Sequence, residues 1–180
     1  MESGERLRLF LAVPLPDEPR GRLVRWQAAA LGGAAGARPV SAGNLHVTLA
    51  FLGGRPAGEV AGIAAEMHEA ARAAERPLLR AVRYRETRSV GMVVLEDDGG
   101  KAGALAGDLF ARLERLGVYT PEKRPWLPHV TVLRFRRRPG LRPPAPDLGQ
   151  VSPSGVALYN SVLRRTGAQY EILESAPLGG

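Results

Sequence analysis

A chain of 180 residues with 44% hydrophobic residues is the size of one globular domain, and none of its apolar runs approaches the roughly 18 residues of a membrane span. It contains no cysteine, which excludes disulfide bonds, thiolate catalysis and sulfur-ligated zinc. The net charge of +7 favours an anionic partner such as nucleic acid. Nearly all the basic residues are arginine, in a chain rich in Ala, Gly and Pro, so a general compositional bias explains part of that charge.

The first half of the chain predicts two strands, each followed by a helix. Alternating and then continuous apolar residues predict a strand at 6–13. A helix is predicted between Asp17, which can cap it, and the glycine-rich stretch from Gly32. Residues 46–52 form the next predicted strand, and a helix with an apolar face is predicted at 56–74.

The second half predicts an antiparallel strand pair at 78–84 and 88–95. A third helix follows and ends at Gly117, where a left-handed residue is wanted. A strand at 129–135 and a hairpin within 156–173 complete the chain. This order predicts an α+β protein in which residues 1–180 form a single domain of two lobes, each giving one strand to a shared cleft.

A proline-rich basic stretch, residues 136–146, separates the last two predicted segments. Its four prolines remove backbone donors, so it can be neither a helix nor a central strand. Two interpretations stay open: a solvated connector, or a basic rim that contacts phosphates.

The strands at 46–52 and 129–135 share a short motif. His46 and Thr48 are two residues apart, and so are His129 and Thr131. In a strand, residues two apart lie on the same face, so each copy presents an imidazole and a hydroxyl to one side. The third histidine, His68, lies on a predicted helix without such a threonine, and no role is predicted for it.

Two imidazoles that face one cavity suit a reaction in which one proton is accepted and another is donated at neutral pH. Displacement at phosphorus has this requirement, because the attacking and leaving oxygens lie on opposite sides of the phosphorus atom. The threonine hydroxyls can donate hydrogen bonds to the non-bridging oxygens. No acidic residue lies near either motif, so we expect no metal site and no cofactor.

Arg134 is a candidate third donor, because a guanidinium group can bind two phosphate oxygens at once. It lies five residues after His129, however, and strict alternation would turn it to the opposite face. The spacing leaves two possibilities: a surface arginine at a strand end, or a bulge that brings Arg134 into the site.

The chain resembles the 2H phosphoesterases, which are named for two such His-x-Thr motifs, and in particular the bacterial and archaeal RNA 2',3'-cyclic phosphodiesterases, also called 2'-5' RNA ligases. The resemblance covers nearly the whole chain, and the two motifs at this separation are its most specific part. The residues that carry it are 8–16, 44–53, 128–134, 158–163 and 170–173.

This resemblance implies a bilobal α+β fold with a pseudo-two-fold axis, antiparallel sheets lining a central cleft and helices outside. It also implies metal-independent hydrolysis of RNA 2',3'-cyclic phosphodiester ends to 2'-phosphomonoesters, and reversible 2'-5' RNA ligation. His46 is then the proton donor to the departing 3' oxygen, and His129 is the proton acceptor that activates water. The residues implied at the phosphate are Thr48, Thr131 and Arg134.

The partner implied is RNA with a 2',3'-cyclic phosphate end, such as a tRNA fragment, or a cyclic nucleotide. We expect a monomer in the cytoplasm without membrane contact. Two alternatives remain: an RNA-binding or RNA-end-joining protein for which hydrolysis is not the physiological role, and a phosphodiesterase for another cyclic or 2'-5' phosphodiester. Phe10, Trp126 and Tyr159 are candidates for stacking on the base, with core packing as the alternative for each.

Overall fold

The computed structural model describes residues 4–179 and is built on one antiparallel β-sheet with three α-helices. The strands of the described residues are β1 (Arg6–Pro14), β2 (Ala37–Pro39), β3 (His46–Pro56), β4 (Leu79–Glu86), β5 (Val90–Asp97), β6 (His129–Phe135), β7 (Gly155–Arg164) and β8 (Gly167–Pro177). The helices are α1 (Asp17–Leu31), α2 (Val60–Ala73) and α3 (Lys101–Arg115). The strand order is β4-β5-β6-β3-β1-β7-β8, and β2 pairs with the far end of β6.

The two motif strands, β3 and β6, are neighbours at the centre of this sheet. They pair antiparallel through Val47 and Val130, which are the middle residues of the two motifs. The strands on either side of this pair are related in the same way: Val13 of β1 pairs with Val47, and Val93 of β5 pairs with Val130. An approximate two-fold axis therefore passes between Val47 and Val130. The α+β class and this pseudo-symmetry agree with the prediction, whereas the grouping of residues 1–180 as one domain of two lobes stays a prediction.

The helices cover one side of the sheet and close the main hydrophobic core. On α3, Leu105, Leu109 and Leu113 recur every four residues on one face, and all three are buried. On α2, Ile63 and Met67 do the same. A fully buried side chain of this size contributes about 1.5–3 kcal/mol to the stability of the fold, so a few turns of each helix suffice to hold that helix on the sheet. No helix of residues 4–179 is long and apolar enough to cross a membrane.

The structure differs from the sequence prediction after the first motif. The prediction started a helix at Pro56, but β3 continues to that residue and α2 begins at Val60. Gly53 and Gly54 do not end the strand, because they pair with the start of β1. Gly53 adopts a positive φ of 69° at a shift of the β1–β3 register, a conformation that favours glycine.

Candidate active site

A cavity of about 570 Å³ opens on the face of the sheet that carries the motif side chains. Four of the five predicted site residues line it, namely His46, Thr48, Thr131 and Arg134. The fifth, His129, is not part of this lining. Extending the antiparallel register by one residue in each direction from Val47 and Val130 sets His129 opposite Thr48 and His46 opposite Thr131.

Both histidines are held in the same tautomer. Nδ1 of His46 lies 2.8 Å from the carbonyl oxygen of Asn44, and Nδ1 of His129 lies 2.7 Å from that of Leu127. A carbonyl oxygen only accepts, so each Nδ1 carries a hydrogen and each neutral ring keeps its lone pair on Nε2. Nε2 of His46 accepts a hydrogen bond from the Thr48 hydroxyl at 2.9 Å. Nε2 is therefore the atom through which each ring can accept or donate a proton.

The surroundings of His46 are aromatic. Its ring stacks on Phe10 at 5.1 Å between centroids and lies 5.4 Å from Tyr170. Burial is the main cause that lowers the pKa of His46 to about 4; the hydrogen bond to the Asn44 carbonyl raises it, and the charges of Arg134 and His129 each lower it by a smaller amount. His46 is therefore neutral at pH 7 in the unliganded protein.

A β-bulge in β6 directs Arg134 into the cavity. Thr131 pairs with Met92 and Leu133 pairs with Gly91, so Val132 has no partner in β5. The extra residue shifts the alternation of β6 by one position, and Val132 and Leu133 are consequently both buried. Arg134 returns to the face of Thr131, which decides the question of placement that the spacing left open.

This bulge is held by Gln27 of α1, which the sequence analysis missed. Gln27 is buried, and its Nε2 donates to the carbonyl oxygens of Val132 at 2.8 Å and Val40 at 3.1 Å. The backbone N–H of Val40 also donates to Val132, at 3.0 Å. The signal available in the sequence was an amide side chain on the apolar face of a predicted helix, where a buried polar group needs partners.

The three stacking candidates have different positions. Phe10 lines the cavity, whereas Tyr159 is buried behind it and stacks on Phe10 at 4.9 Å. Trp126 is not among the cavity residues; its indole N–H donates to the carbonyl oxygen of Thr48 at 3.1 Å and so links the two motif segments. Phe51 and Tyr170 line the cavity and were not singled out from the sequence.

None of the residues of the basic stretch at 136–146 lines this cavity. It is anchored by the buried carboxylate of Glu86, which accepts hydrogen bonds from the backbone of Gly140 and Leu141 and from the Arg138 side chain. His68 is partly exposed and lies 3.4 Å from Glu174, outside the site. Within residues 4–179, no group of three or more His, Cys, Asp or Glu side chains is placed to hold a metal ion.

Comparison with known proteins identifies the family. A family model described as LigT like Phosphoesterase matches residues 13–91, which include the first motif. An RNA 2',3'-cyclic phosphodiesterase of Thermus thermophilus is 37% identical over 185 residues, covering 97% of this chain and 91% of that protein. The chain is a LigT-like phosphoesterase. The predicted 2H family is thereby confirmed.

Further relatives of this LigT-like phosphoesterase also match over nearly their whole lengths. An RNA 2',3'-cyclic phosphodiesterase of Escherichia coli is 31% identical over 188 residues, covering 95% of this chain and 96% of that protein. The crystal structure of Escherichia coli LigT complexed with 3'-AMP matches with a TM-score of 0.84 at 27% identity, covering 98% of this chain and all of that one. The fold class predicted for the LigT-like phosphoesterase is confirmed by these neighbours.

Proposed function

We propose that this LigT-like phosphoesterase hydrolyses RNA 2',3'-cyclic phosphodiester ends to 2'-phosphomonoesters. The observation that supports the proposal is the approximate two-fold pairing of the motifs at Val47 and Val130, which sets His129 opposite Thr48 and His46 opposite Thr131 beside a cavity lined by His46 and both threonines. Relatives named RNA 2',3'-cyclic phosphodiesterase support the choice of substrate. A cytoplasmic location and a monomeric state, with tRNA fragments or cyclic nucleotides as substrates, belong to the same proposal.

In the proposed reaction His129 accepts a proton from water at Nε2, and the water oxygen forms a bond to phosphorus. The bond between phosphorus and the 3' oxygen breaks, and the Nε2 hydrogen of protonated His46 moves to that oxygen. Thr48, Thr131 and Arg134 donate to the non-bridging oxygens, whose charge grows in the transition state. No net proton is consumed by the enzyme, because the two imidazoles exchange protonation states and then return through solvent.

His46 is neutral in the unliganded protein, so it must gain a proton before it can act as the proton donor. Burial lowers its pKa most, and the charges of Arg134 and His129 add to that effect; the anionic phosphate offsets these charges and thus favours proton uptake at Nε2. Once Nε2 carries a hydrogen it no longer accepts from Thr48, and that hydroxyl is free to donate to the phosphate. Substrate binding, protonation of His46 and reorientation of Thr48 are therefore coupled.

The test is turnover of a nucleoside 2',3'-cyclic phosphate with a chelator present, with the product identified as the 2'-phosphomonoester by phosphorus NMR. His46→Ala and His129→Ala should each lower kcat by about 10²–10⁴-fold, the range for a lost general acid or base. His68→Ala is the matched control, because it removes a histidine outside the cavity and should keep full activity. Activity that survives both motif substitutions would exclude the proposal.

End joining is a second candidate, favoured by the three arginines that line a cavity of about 570 Å³ and can attract a second RNA end. A 5' hydroxyl in place of water would form a 2'-5' linkage with the same transfer of protons between the histidines. Incubation of cyclic-phosphate RNA with a 5'-hydroxyl acceptor separates the two: a joined product in excess of hydrolysis favours ligation. Binding that ignores the cyclic end, without either product, would favour an RNA-binding protein instead.

A further inference from the structure

The cavity carries more positive charge than one cyclic phosphate requires. Three arginines line it, Arg8, Arg38 and Arg134, and among the described residues no Asp or Glu does. Within residues 4–179, no hydrogen bond or ion pair engages any of the three guanidinium groups. A 2',3'-cyclic phosphate carries one negative charge, so at least one of these groups is available for another anion.

Two of the arginines, Arg38 and Arg134, lie next to each other at the β6 side of the cavity. Arg134 is the arginine whose charge lowers the pKa of His46, so its guanidinium group lies within electrostatic reach of that ring. Arg38 of β2 pairs with Arg134 in the β2–β6 ladder. Like charges directly opposite each other in a ladder destabilise a sheet, and an anion bound between them removes that cost.

Arg8 occupies a different part of the wall. The Phe10 ring stacks on His46 at 5.1 Å and on Phe51 at 6.4 Å, and the Arg8 guanidinium lies 5.3 Å from the centroid of Phe51. Two aromatic rings therefore separate Arg8 from the catalytic imidazole. Phe51 is 48% exposed, which is unusual for a phenylalanine, and it supports the guanidinium group at the cavity wall by a cation–π contact.

We propose that Arg8, supported by Phe51, binds a second phosphate group of the substrate, so that the cavity selects a cyclic-phosphate nucleotide that carries a further phosphate on its 5' side. The preferred substrate is then the end of an RNA chain rather than a nucleoside 2',3'-cyclic monophosphate. This inference rests on the proposed function and adds to it the group that distinguishes a chain end from a free nucleotide.

The binding test uses two product analogues, a nucleoside 2'-monophosphate and the matching nucleoside 2',5'-bisphosphate, measured by calorimetry at low salt. The wild type should bind the bisphosphate about tenfold more tightly, as one charge-assisted contact provides, and this advantage should shrink as salt is raised. Arg8→Met should abolish most of the advantage, whereas Arg38→Met should weaken both ligands alike. Arg115→Met, which removes the same charge from the exposed end of α3, should leave the ratio unchanged.

A kinetic arm compares a cyclic-phosphate dinucleotide with the cyclic mononucleotide. We expect a kcat/KM about tenfold higher for the dinucleotide in the wild type, reduced towards equality in Arg8→Met. Turnover of both substrates with no preference, or an equal loss on both in Arg8→Met, would overturn the second phosphate site. Tighter bisphosphate binding with no turnover of either cyclic substrate would instead overturn the proposed function.

Discussion

Protonation of His46 should destabilise the unliganded protein as the pH falls. Burial lowers the pKa of His46 from 6.5 to about 4 in the folded state, and the unfolded chain keeps the ordinary value. At a pH between these two pKa values, the unfolded state binds a proton at His46 that the folded state does not. The stabilisation from His46 is therefore complete above pH 6.5 and is lost as the pH falls to about 4.

The magnitude follows from the difference between the two pKa values. At 1.36 kcal/mol for each tenfold change in proton affinity, the loss amounts to about 3 kcal/mol. His46 lines the cavity and is only partly buried, so screening by solvent reduces the expected loss to about 2 kcal/mol. A change of that size is a large part of the net stability of a small domain.

Urea unfolding at pH 7, 6, 5 and 4 measures this effect when the wild type is compared with His46→Asn, whose amide can still donate to the Asn44 carbonyl. The wild type should lose about 2 kcal/mol more than the variant between pH 7 and pH 4. Other acid-sensitive groups, such as Glu86, are present in both proteins and cancel. Parallel stability curves, or an NMR titration of the His46 ring near pH 6.5, would refute the reasoning.

The remaining predictions concern the ligand, the bulge and the basic stretch. Saturation with a nucleoside 2'-monophosphate should raise the pKa of His46 above about 4, because the anion offsets the charges of Arg134 and His129; NMR titration of the ring measures it. Gln27→Met should weaken phosphate binding about tenfold, because it releases the bulge in β6 that directs Arg134 into the cavity. The same substitution should have little effect in an Arg134→Ala background, and calorimetry on the wild type, the two single variants and the double variant tests this. Glu86→Gln should lower the free energy of unfolding by about 1–3 kcal/mol, measured in urea, while turnover is kept because the stretch it anchors lies outside the cavity.

Each of these three predictions has an outcome that would contradict it. An unchanged or lower pKa of His46 with ligand bound would contradict the coupling of substrate binding to protonation. An equal loss of phosphate affinity from Gln27→Met with and without Arg134 would show that Gln27 acts on general stability alone. A loss of turnover in Glu86→Gln at temperatures where the variant is folded would place residues 136–146 in the reaction after all.

The local parts of the site were predictable from the sequence because they depend on strand geometry alone. Residues two apart share a face, so the pattern of His46 with Thr48, and of His129 with Thr131, was sufficient to predict which groups share one face of the sheet. The helices were predictable for the same reason, as their apolar faces follow the helical period. The family resemblance then extended these local patterns to the whole fold.

What the sequence could not show depends on pairing between distant segments. The placement of Arg134 follows from a bulge that exists only because β6 pairs with β5 in one register and because Gln27 of α1 reaches Val132. The strand β2 has only three residues, too few for a periodic signal, yet it brings Arg38 beside Arg134. Spacing along one strand contains no information about either partner.

The two motif histidines are equivalent by position but not by environment. Phe10, Tyr159 and Tyr170 surround His46 from one half of the sheet, and the aromatic contacts of the described residues include none to His129. A duplicated motif by itself would yield two interchangeable groups, and an acid and a base must differ. The difference that the proposed acid and base require is thus encoded outside the motifs, and substitutions at Tyr159 or Tyr170 are the most direct way to change it.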